Sequence, residues 1–328
     1  MSDGLITTAR SQREFGRPGR LSLGQIEVVA VLIFAALPFW LSNFWTYTLS
    51  LTLANAILIL SVSFLIRYGG EVSIGQNFFA AGGAYAVAIL QTRYGIPFPV
   101  GAMVGAAAGV LTGLIFSWPS RNLSGVYLSV ATLALGLCVP EILLQWSSLT
   151  GGFEGLYVEP NLVPGVASGV QQFYVALAGL GITVIALARF RGSRFGLALL
   201  TARYNPKAAE AFGMSLPHVR LLVFAISSGI AGFGGSVLAF ASSTVSPNSF
   251  SFLTSVYLLV GAVVSLYSTR MIAAVVGGMF ITLVPLLMSE YGEIVPIIYG
   301  LALFVVIYMA NIVVPAAQAA IRRRKARA

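Results

Sequence analysis

Runs of about 20 apolar residues follow one another along almost the whole chain, and each could cross a hydrocarbon core of roughly 30 Å as a helix. Only 9% of the 328 residues are charged and the mean hydropathy is +0.90, whereas soluble domains contain roughly 25% charged residues. So few charges cannot cover a surface that faces water. The runs therefore predict an all-α polytopic membrane protein with about ten transmembrane helices, at 24–44, 47–66, 74–91, 99–118, 123–146, 172–190, 220–243, 251–268, 271–289 and 294–314.

The basic residues divide the chain and predict its orientation in the membrane. We assign 1–23 as a basic arm, 24–314 as a transmembrane domain with a cytoplasmic loop at 191–219, and 315–328 as a basic tail. Lys and Arg of short loops stay in the cytoplasm, so an inside N-terminus places all 19 of them except Arg93 on that side. The net charge of +9 then reflects contact with an anionic bilayer surface, and it does not indicate nucleic-acid binding.

Residue types that carry catalysis and metal binding are scarce. The chain has one Cys, Cys138, and one His, His218, which are too few for a disulfide framework or a Cys/His metal cluster. It also lacks the G-x-x-x-x-G-K-[ST] loop that binds nucleotide phosphates. We therefore expect no catalytic residue, cofactor or metal in this chain, and no enzyme activity of its own.

Small residues recur at helical spacing in several runs. Small side chains let helices approach closely within lipid, where the hydrophobic effect contributes little to helix association. Static helix contacts are the favoured interpretation, and helices that move along a translocation path are the alternative. The stripes are Gly101, Gly105, Gly109 and Gly113; Ala80, Ala84 and Ala88; and Ser228, Gly232 and Ser236.

The stretch 68–85 joins two runs and contains five glycines and several polar side chains. Irregular backbone at membrane depth is tolerated only inside protein or along a water-filled cavity, and helix ends there can bind polar substrates. A tight cytoplasmic turn would explain the same residues. The short runs at 74–91 and 251–268 predict broken or re-entrant helices. The candidate translocation-path residues are Gly70, Ser73, Gly75, Gln76, Thr132 and Glu141.

Four stretches make the sequence resemble the permease subunits of the branched-chain amino-acid ABC transporter family, in particular the M-type subunit. They are GGEVSIGQNFFAAGGAYAVAIL (69–90), GVYLSVATLALG (125–136), LTGGFEGL (149–156) and AAEAFGMSLPHVRLLVFAISSGIAGFGGSVLAF (208–240). The resemblance implies ATP-driven uptake through a type II importer-like fold, in which spans two to five and seven to ten form inverted repeats. It also implies a bacterial inner-membrane protein with both termini in the cytoplasm.

The same resemblance implies a set of partners: a second, H-type permease, two ATP-binding subunits that hold ATP and Mg²⁺, and a periplasmic substrate-binding protein. A homodimeric pairing of permeases stays open. Leucine-like amino acids are the family's usual cargo, while amides, urea-like compounds and aromatic acids remain possible. The binding protein does most of the selecting in such importers.

Local signals within 191–219 predict a short cytoplasmic helix. Asn205 is a good N-cap, Pro206 suits the first helical position, and Gly213 suits the C-terminal stop. The resemblance implies that this helix docks in a cleft of an ATP-binding subunit, and a surface loop with one turn is the alternative. The predicted docking residues are Ala208, Ala209, Glu210, Ala211, Phe212 and Gly213.

Glu141 is the one acid that the sequence places clearly inside a span. A carboxylate at membrane depth is a functional candidate because leaving it unpaired in lipid is costly. It could attract a substrate ammonium group or take part in proton coupling. Extension of the side chain to the headgroups, or pairing with Arg93, is the favoured alternative.

The longest outer loop, near 149–172, is a candidate for docking the binding protein through Gly151, Gly152, Glu154 and Glu159. Complementary charge across an interface aids such docking, although these acids could equally be plain solvated charges. A competing function is a secondary transporter or channel driven by an ion gradient, since broken helices suit that class too. Its members usually carry several ionisable residues in the membrane, whereas this sequence offers Glu141 alone.

Overall fold

The computed structural model describes residues 34–35, 37–120, 123, 125–287, 297–298, 300–301 and 304. The two strands β1 (Leu156–Tyr157) and β2 (Thr244–Val245) pair antiparallel, with Leu156 opposite Val245. The α-helices of the described part are α1 (Asn43–Phe64), α2 (Gln76–Tyr94), α3 (Phe98–Ser120), α4 (Val126–Gln145), α5 (Ser147–Thr150), α6 (Ser168–Gly192), α7 (Arg194–Tyr204), α8 (Pro206–Ala211), α9 (Leu216–Ser242), α10 (Phe252–Val264) and α11 (Met271–Leu287).

Five of the described helices are long and apolar enough to cross a membrane. They are α1 together with the π-helical turn Leu65–Gly69, and then α3, α4, α6 and α9. These helices confirm the predicted all-α membrane fold and lie close to the predicted spans. The predicted spans 24–44 and 294–314 fall largely outside the described residues.

Of the two runs predicted to be broken or re-entrant, 251–268 forms the short helix α10, whereas 74–91 forms most of α2, a continuous helix of 19 residues. The helix α10 has 13 residues, so it is about 20 Å long at 1.5 Å per residue and cannot cross the core alone. A 3₁₀ turn, Pro247–Phe250, precedes it, and a turn in which Leu266 and Tyr267 have φ of 53° and 50° follows it. Irregular backbone at both ends of α10 therefore agrees with the prediction for 251–268, whereas the continuous helix α2 shows no break within 76–94.

The best-packed part of the molecule is the contact of α9 with α2 and α3. A Cβ at Gly83 would overlap the Gly232 carbonyl group, and a Cβ at Gly109 would stand 3.0 Å from the Gly232 Cα. Gly105 similarly faces Ser236, whose hydroxyl donates to the Gly83 carbonyl oxygen at 3.1 Å. The predicted stripes of α3 and α9 therefore face each other, as helix packing in lipid predicts, and α2 meets them through Gly83.

The helix α4 is the least enclosed of the long helices. Only 22% of its most apolar stretch is buried in the chain, against 83% for α1. Its buried residues, Leu128, Thr132, Gly136 and Val139, recur along one face. Most of its other residues are exposed in the isolated chain.

The loop 191–219, for which the sequence predicts a cytoplasmic location, contains a helix, α7, that the sequence did not predict. The hydroxyl of Ser193 caps α7 by accepting from the Gly196 amide at 3.0 Å. Leu199 and Ala202 on one face of α7 are buried. The loop 191–219 is therefore folded onto the end of the bundle by α7 before the predicted short helix α8 begins.

Candidate functional site

The helix α8 has the caps that the sequence predicts. The Asn205 Oδ1 accepts from the Ala208 amide at 3.1 Å, and Pro206 occupies the first turn. Gly213 has φ of 79°, a backbone conformation that favours glycine, and its amide donates to the Glu210 carbonyl oxygen at 2.9 Å. Pro217 falls in the first turn of α9, so it opens the next helix as well as closing this one.

Exposure divides the predicted docking residues of α8 into two groups. Glu210, Ala211, Phe212 and Gly213 are exposed and Ala208 is half-buried, with Phe212 at 83%. Ala209 is fully buried, so its predicted contact with a partner is wrong. Its methyl group instead holds α8 against the chain, because a six-residue helix must be anchored to persist.

The segment between α1 and α2, residues 70–75, will be called the linking segment. Its backbone is irregular. Three hydrogen bonds attach it to α4 and to Gly125, the residue directly before α4. The Ile74 amide donates to Thr132 Oγ1 at 3.1 Å, the Ser129 hydroxyl donates to the Val72 carbonyl oxygen at 2.8 Å, and the Gly125 amide donates to Glu71 at 2.8 Å. The structure therefore shows irregular backbone packed inside the protein at residues 70–75, and it does not show a tight turn there.

Two amides at the start of α2 connect the linking segment to the rest of the molecule. The Gln76 Nε2 donates to the hydroxyls of Ser61 and Ser227, both at 3.0 Å. The Asn77 side chain is fully buried and accepts from the Ser255 hydroxyl at 2.5 Å. Its Nδ2 has two hydrogens to donate and lies within reach of three backbone carbonyl oxygens, those of Phe250 at 2.7 Å, Ser251 at 3.1 Å and Gly136 at 3.3 Å. Asn77 therefore joins the starts of α2 and α10.

Most of the predicted path residues belong to this region, and Glu141 does not. Ser73 and Gln76 are buried, and a Cβ at Gly75 would overlap the Thr132 carbonyl oxygen. Gly70 opens the linking segment with φ of 72°. Glu141 lies on α4 about 13 Å beyond Thr132 and about half a turn around the helix, and it is exposed.

The favoured pairing of Glu141 with Arg93 is not formed. The Arg93 guanidinium instead donates to the Ser148 carbonyl oxygen. The buried acid of the described structure is Glu71, which is 8% exposed, and its Oε1 lies 3.8 Å from the Nε of Arg220. A signal was present in the sequence, because Glu71 directly follows two glycines at the end of an apolar run.

The outer loop is held in place by its strand and its glycines. Gly151, Gly152 and Gly155 all have positive φ, and a Cβ at Gly155 would overlap the Val245 carbonyl oxygen. Glu154 and Glu159 are exposed as predicted, whereas Gly152 is buried and cannot itself contact a partner. Two exposed aromatic side chains that the sequence did not predict lie beside these acids: Phe153 is 78% exposed and Tyr157 is 59% exposed.

Comparison with known proteins places these features in a family. Residues 45–311 match the family described as "Branched-chain amino acid transport system / permease component". Over 263 residues the chain is 30% identical to "High-affinity branched-chain amino acid transport system permease protein LivM" of Escherichia coli K12, and equally so to its Salmonella typhimurium counterpart. The aligned region covers 71% of this chain and 61% of each relative, so the chain spans less than two thirds of their length.

A third relative is "Probable branched-chain amino acid transport permease protein LivH" of Methanocaldococcus jannaschii, 27% identical over 57% of this chain and 63% of that protein. Among solved structures, "PsaBC from Streptococcus pneumoniae in complex with Fab" aligns with a TM-score of 0.45 at 15% identity. That alignment covers 86% of this chain and 96% of the other.

Proposed function

Because this chain belongs to the family of branched-chain amino acid transport permeases, we propose that it is the membrane-spanning subunit of an ATP-driven importer. It moves branched-chain amino acids, or related small amides and carboxylates, from the periplasm to the cytoplasm. It does so in the bacterial inner membrane, with both termini in the cytoplasm as the basic residues predict.

The observation that carries this proposal is the exposed end of α8. A capped helix presents Glu210, Ala211 and the largely exposed Phe212 on the predicted cytoplasmic side. An exposed aromatic beside a charged residue is typical of a protein-binding surface. The sequence has no phosphate loop, and in the proposed importer two ATP-binding subunits that hold ATP and Mg²⁺ supply the energy.

A second permease subunit, of the H type, is proposed to cover the open face of α4. That face carries Glu141 and Cys138, both exposed in the isolated chain. A carboxylate directed into lipid would be costly, so a neighbouring subunit or a water-filled path between two permeases is its better environment. The adjacent starts of α2 and α10, joined by Asn77, support the inverted repeats implied for this fold.

The outer surface of the loop between α5 and α6 is proposed to receive a periplasmic binding protein. Glu154 and Glu159 supply charge, and Phe153 and Tyr157 supply apolar area at the same place. Charge that complements a partner raises the rate of encounter, and aromatic side chains commonly dominate the free energy of binding.

The two exposed phenylalanines allow a matched test. Phe212 and Phe153 are exposed to similar extents, 83% and 78%, but lie at opposite predicted ends of the molecule. The chain would be co-expressed with its second permease and ATP-binding subunits, purified through a tag on the chain, and assayed for retained ATPase and for stimulation by the binding protein. Phe212→Ala should lose the ATP-binding subunits, and Phe153→Ala should keep them but respond less to the binding protein.

Equal retention of the ATP-binding subunits by Phe212→Ala and Phe153→Ala would contradict the docking proposal. Uptake driven by a proton or sodium gradient in proteoliposomes without any ATP-binding subunit would favour the competing secondary transporter instead.

A further inference from the structure

Two arginines that flank α8 in the sequence both contact residues in or next to the linking segment. Arg203, at the end of α7, donates to the carbonyl oxygen of Arg67. Its side chain also packs on Gly70, where an added Cβ would stand 3.3 Å from the Arg203 Nε. Arg220, in the second turn of α9, contacts Glu71. The residues before and after α8 therefore meet at the same short stretch of chain.

Glu71 connects Arg220 to the start of α4. Its Oε1 lies 3.8 Å from the Arg220 Nε, while its Oε2 accepts from the Gly125 amide at 2.8 Å, one residue before α4 begins. The two oxygens of one carboxylate thus hold two different helices. The carboxylate belongs to the linking segment, which leads directly into α2.

The connection from α8 to Arg220 is short and hydrogen-bonded. The Met214 amide donates to the Ala209 carbonyl oxygen at 3.0 Å, and the Val219 amide donates to the Ser215 carbonyl oxygen at 3.0 Å in the first turn of α9. A cavity of about 100 Å³ lies between α7, α8 and α9 and is lined in part by Tyr68, Pro206 and Arg220. Displacement of α8 would therefore act on Arg220, with free space beside it.

We propose that Glu71 and Arg220 form a coupling pair, which transmits movement of α8 to the linking segment and to the start of α4. The inference rests on the proposed function, because it requires an ATP-binding subunit on α8. Both are positioning residues: neither contacts the nucleotide, and the pair acts by setting the linking segment relative to α9.

The geometry distinguishes a coupling pair from a static brace. Arg220 is 35% exposed, and its Nε lies 3.8 Å from Glu71 Oε1, a distance longer than a hydrogen bond. No direct hydrogen bond therefore fixes Arg220 to Glu71, and the arginine can move relative to the carboxylate. Glu71 by contrast stays attached to α4 through the shorter bond to the Gly125 amide.

The test uses the assembled complex in nanodiscs, with loaded binding protein added, and variants Glu71→Gln, Arg220→Gln and the double variant. Glu71→Gln keeps an oxygen that can accept from the Gly125 amide and removes only the charge. We expect all three to retain the ATP-binding subunits, but stimulation of ATP hydrolysis by the binding protein should fall at least about fivefold, the lower end of typical coupling between linked sites.

Conservative and remote variants complete the design. Arg220→Lys keeps the charge and should retain most of the stimulation, and Arg194→Gln, an exposed arginine of the same cytoplasmic loop, should behave as the wild type.

The double variant leaves no unpaired buried charge, so a purely stabilising pair predicts normal stimulation from it. Normal stimulation in the double variant, with normal thermal stability, would overturn the proposal. Failure of the wild type to retain an ATP-binding subunit would overturn the proposed function instead.

Discussion

Substitution of Gly83 by alanine tests whether the contact of α2 with α9 holds the bundle together. A Cβ at Gly83 would stand 2.7 Å from the Gly232 Cα and would overlap the carbonyl group of the same residue. Two carbon atoms in contact need about 3.5–4.0 Å, so the two helices must separate by about 1 Å. Neither obstacle is a side chain that can rotate away.

The expected cost follows from that displacement. A gap of about 1 Å removes roughly a quarter to a half of the attraction between atoms that were in contact, and overpacking a core typically costs about 1–3 kcal/mol. Gly232 also lies against Gly109 of α3, with a Cβ at Gly232 2.9 Å from the Gly109 Cα. A shift of α9 therefore disturbs a second interface, and we expect a cost near the middle of that range, about 2 kcal/mol.

The adjacent glycine supplies the control. A Cβ at Gly82 would have no atom within 4 Å, so Gly82→Ala should gain stability from helix propensity, about 1 kcal/mol relative to glycine. Gly83→Ala receives the same gain. The difference between the two variants therefore isolates the packing cost of about 2 kcal/mol.

The assay is reversible unfolding of the purified chain in mixed micelles of dodecyl maltoside and SDS, followed by circular dichroism. We expect Gly82→Ala to unfold at a higher SDS fraction than the wild type, and Gly83→Ala at a clearly lower fraction than Gly82→Ala. Unfolding free energies of the two variants that agree within about 0.5 kcal/mol, the spread typical of neutral surface changes, would refute the close contact of α2 and α9.

Three further predictions concern single sites. Asn77→Ala should cost about 2 kcal/mol in the same assay, because its amide donates two hydrogen bonds and accepts one at roughly 0.6 kcal/mol each in membranes. Asn55→Ala, which loses the bond to Thr282, should cost about a third as much, and equal costs would contradict the network. Gly213→Val should unwind the end of α8, because a left-handed backbone costs a residue with a side chain about 1–2 kcal/mol. This variant should reduce retention of the ATP-binding subunits while circular dichroism stays unchanged, and full retention would contradict the role of this cap. Cys138, exposed on α4, should react with N-ethylmaleimide in the isolated chain and much more slowly once the second permease is bound; an unchanged rate would place the partner elsewhere.

Features that depend on neighbouring residues along the chain could be predicted from the sequence. The apolar runs predicted the long helices because a membrane helix needs only length and composition. The caps of α8 were predictable because Asn205, Pro206 and Gly213 act within one or two turns of each other. The glycine stripes indicated which faces would pack, although not against which helix.

Features that join distant parts of the chain could not be predicted in this way. Glu71 meets Gly125 and Arg220, and Asn77 meets α10, only after the helices have assembled. The hydropathy pattern indicated Glu141 as a candidate because this residue interrupts an apolar run. The same pattern did not indicate Glu71, because Glu71 lies at the end of an apolar run. The burial of Ala209 was missed for the same reason, since the neighbour that covers it is remote in sequence.

Selection of cargo is better explained by a binding protein than by the buried polar residues of α2 and α4 that surround the linking segment. The Asn77 side chain is fully bonded within the chain, and Thr132 both donates and accepts. The Gln76 amide nitrogen donates hydrogen bonds to the hydroxyls of two serines. The Gln76 Oε1 has no hydrogen-bond partner among the described residues. Polar groups that already have partners hold helices together, and a substrate would have to break those bonds to use them. Exchanging the binding protein while keeping this chain unchanged should therefore alter the transported amino acid, whereas Thr132→Val should lower the rate for every cargo alike.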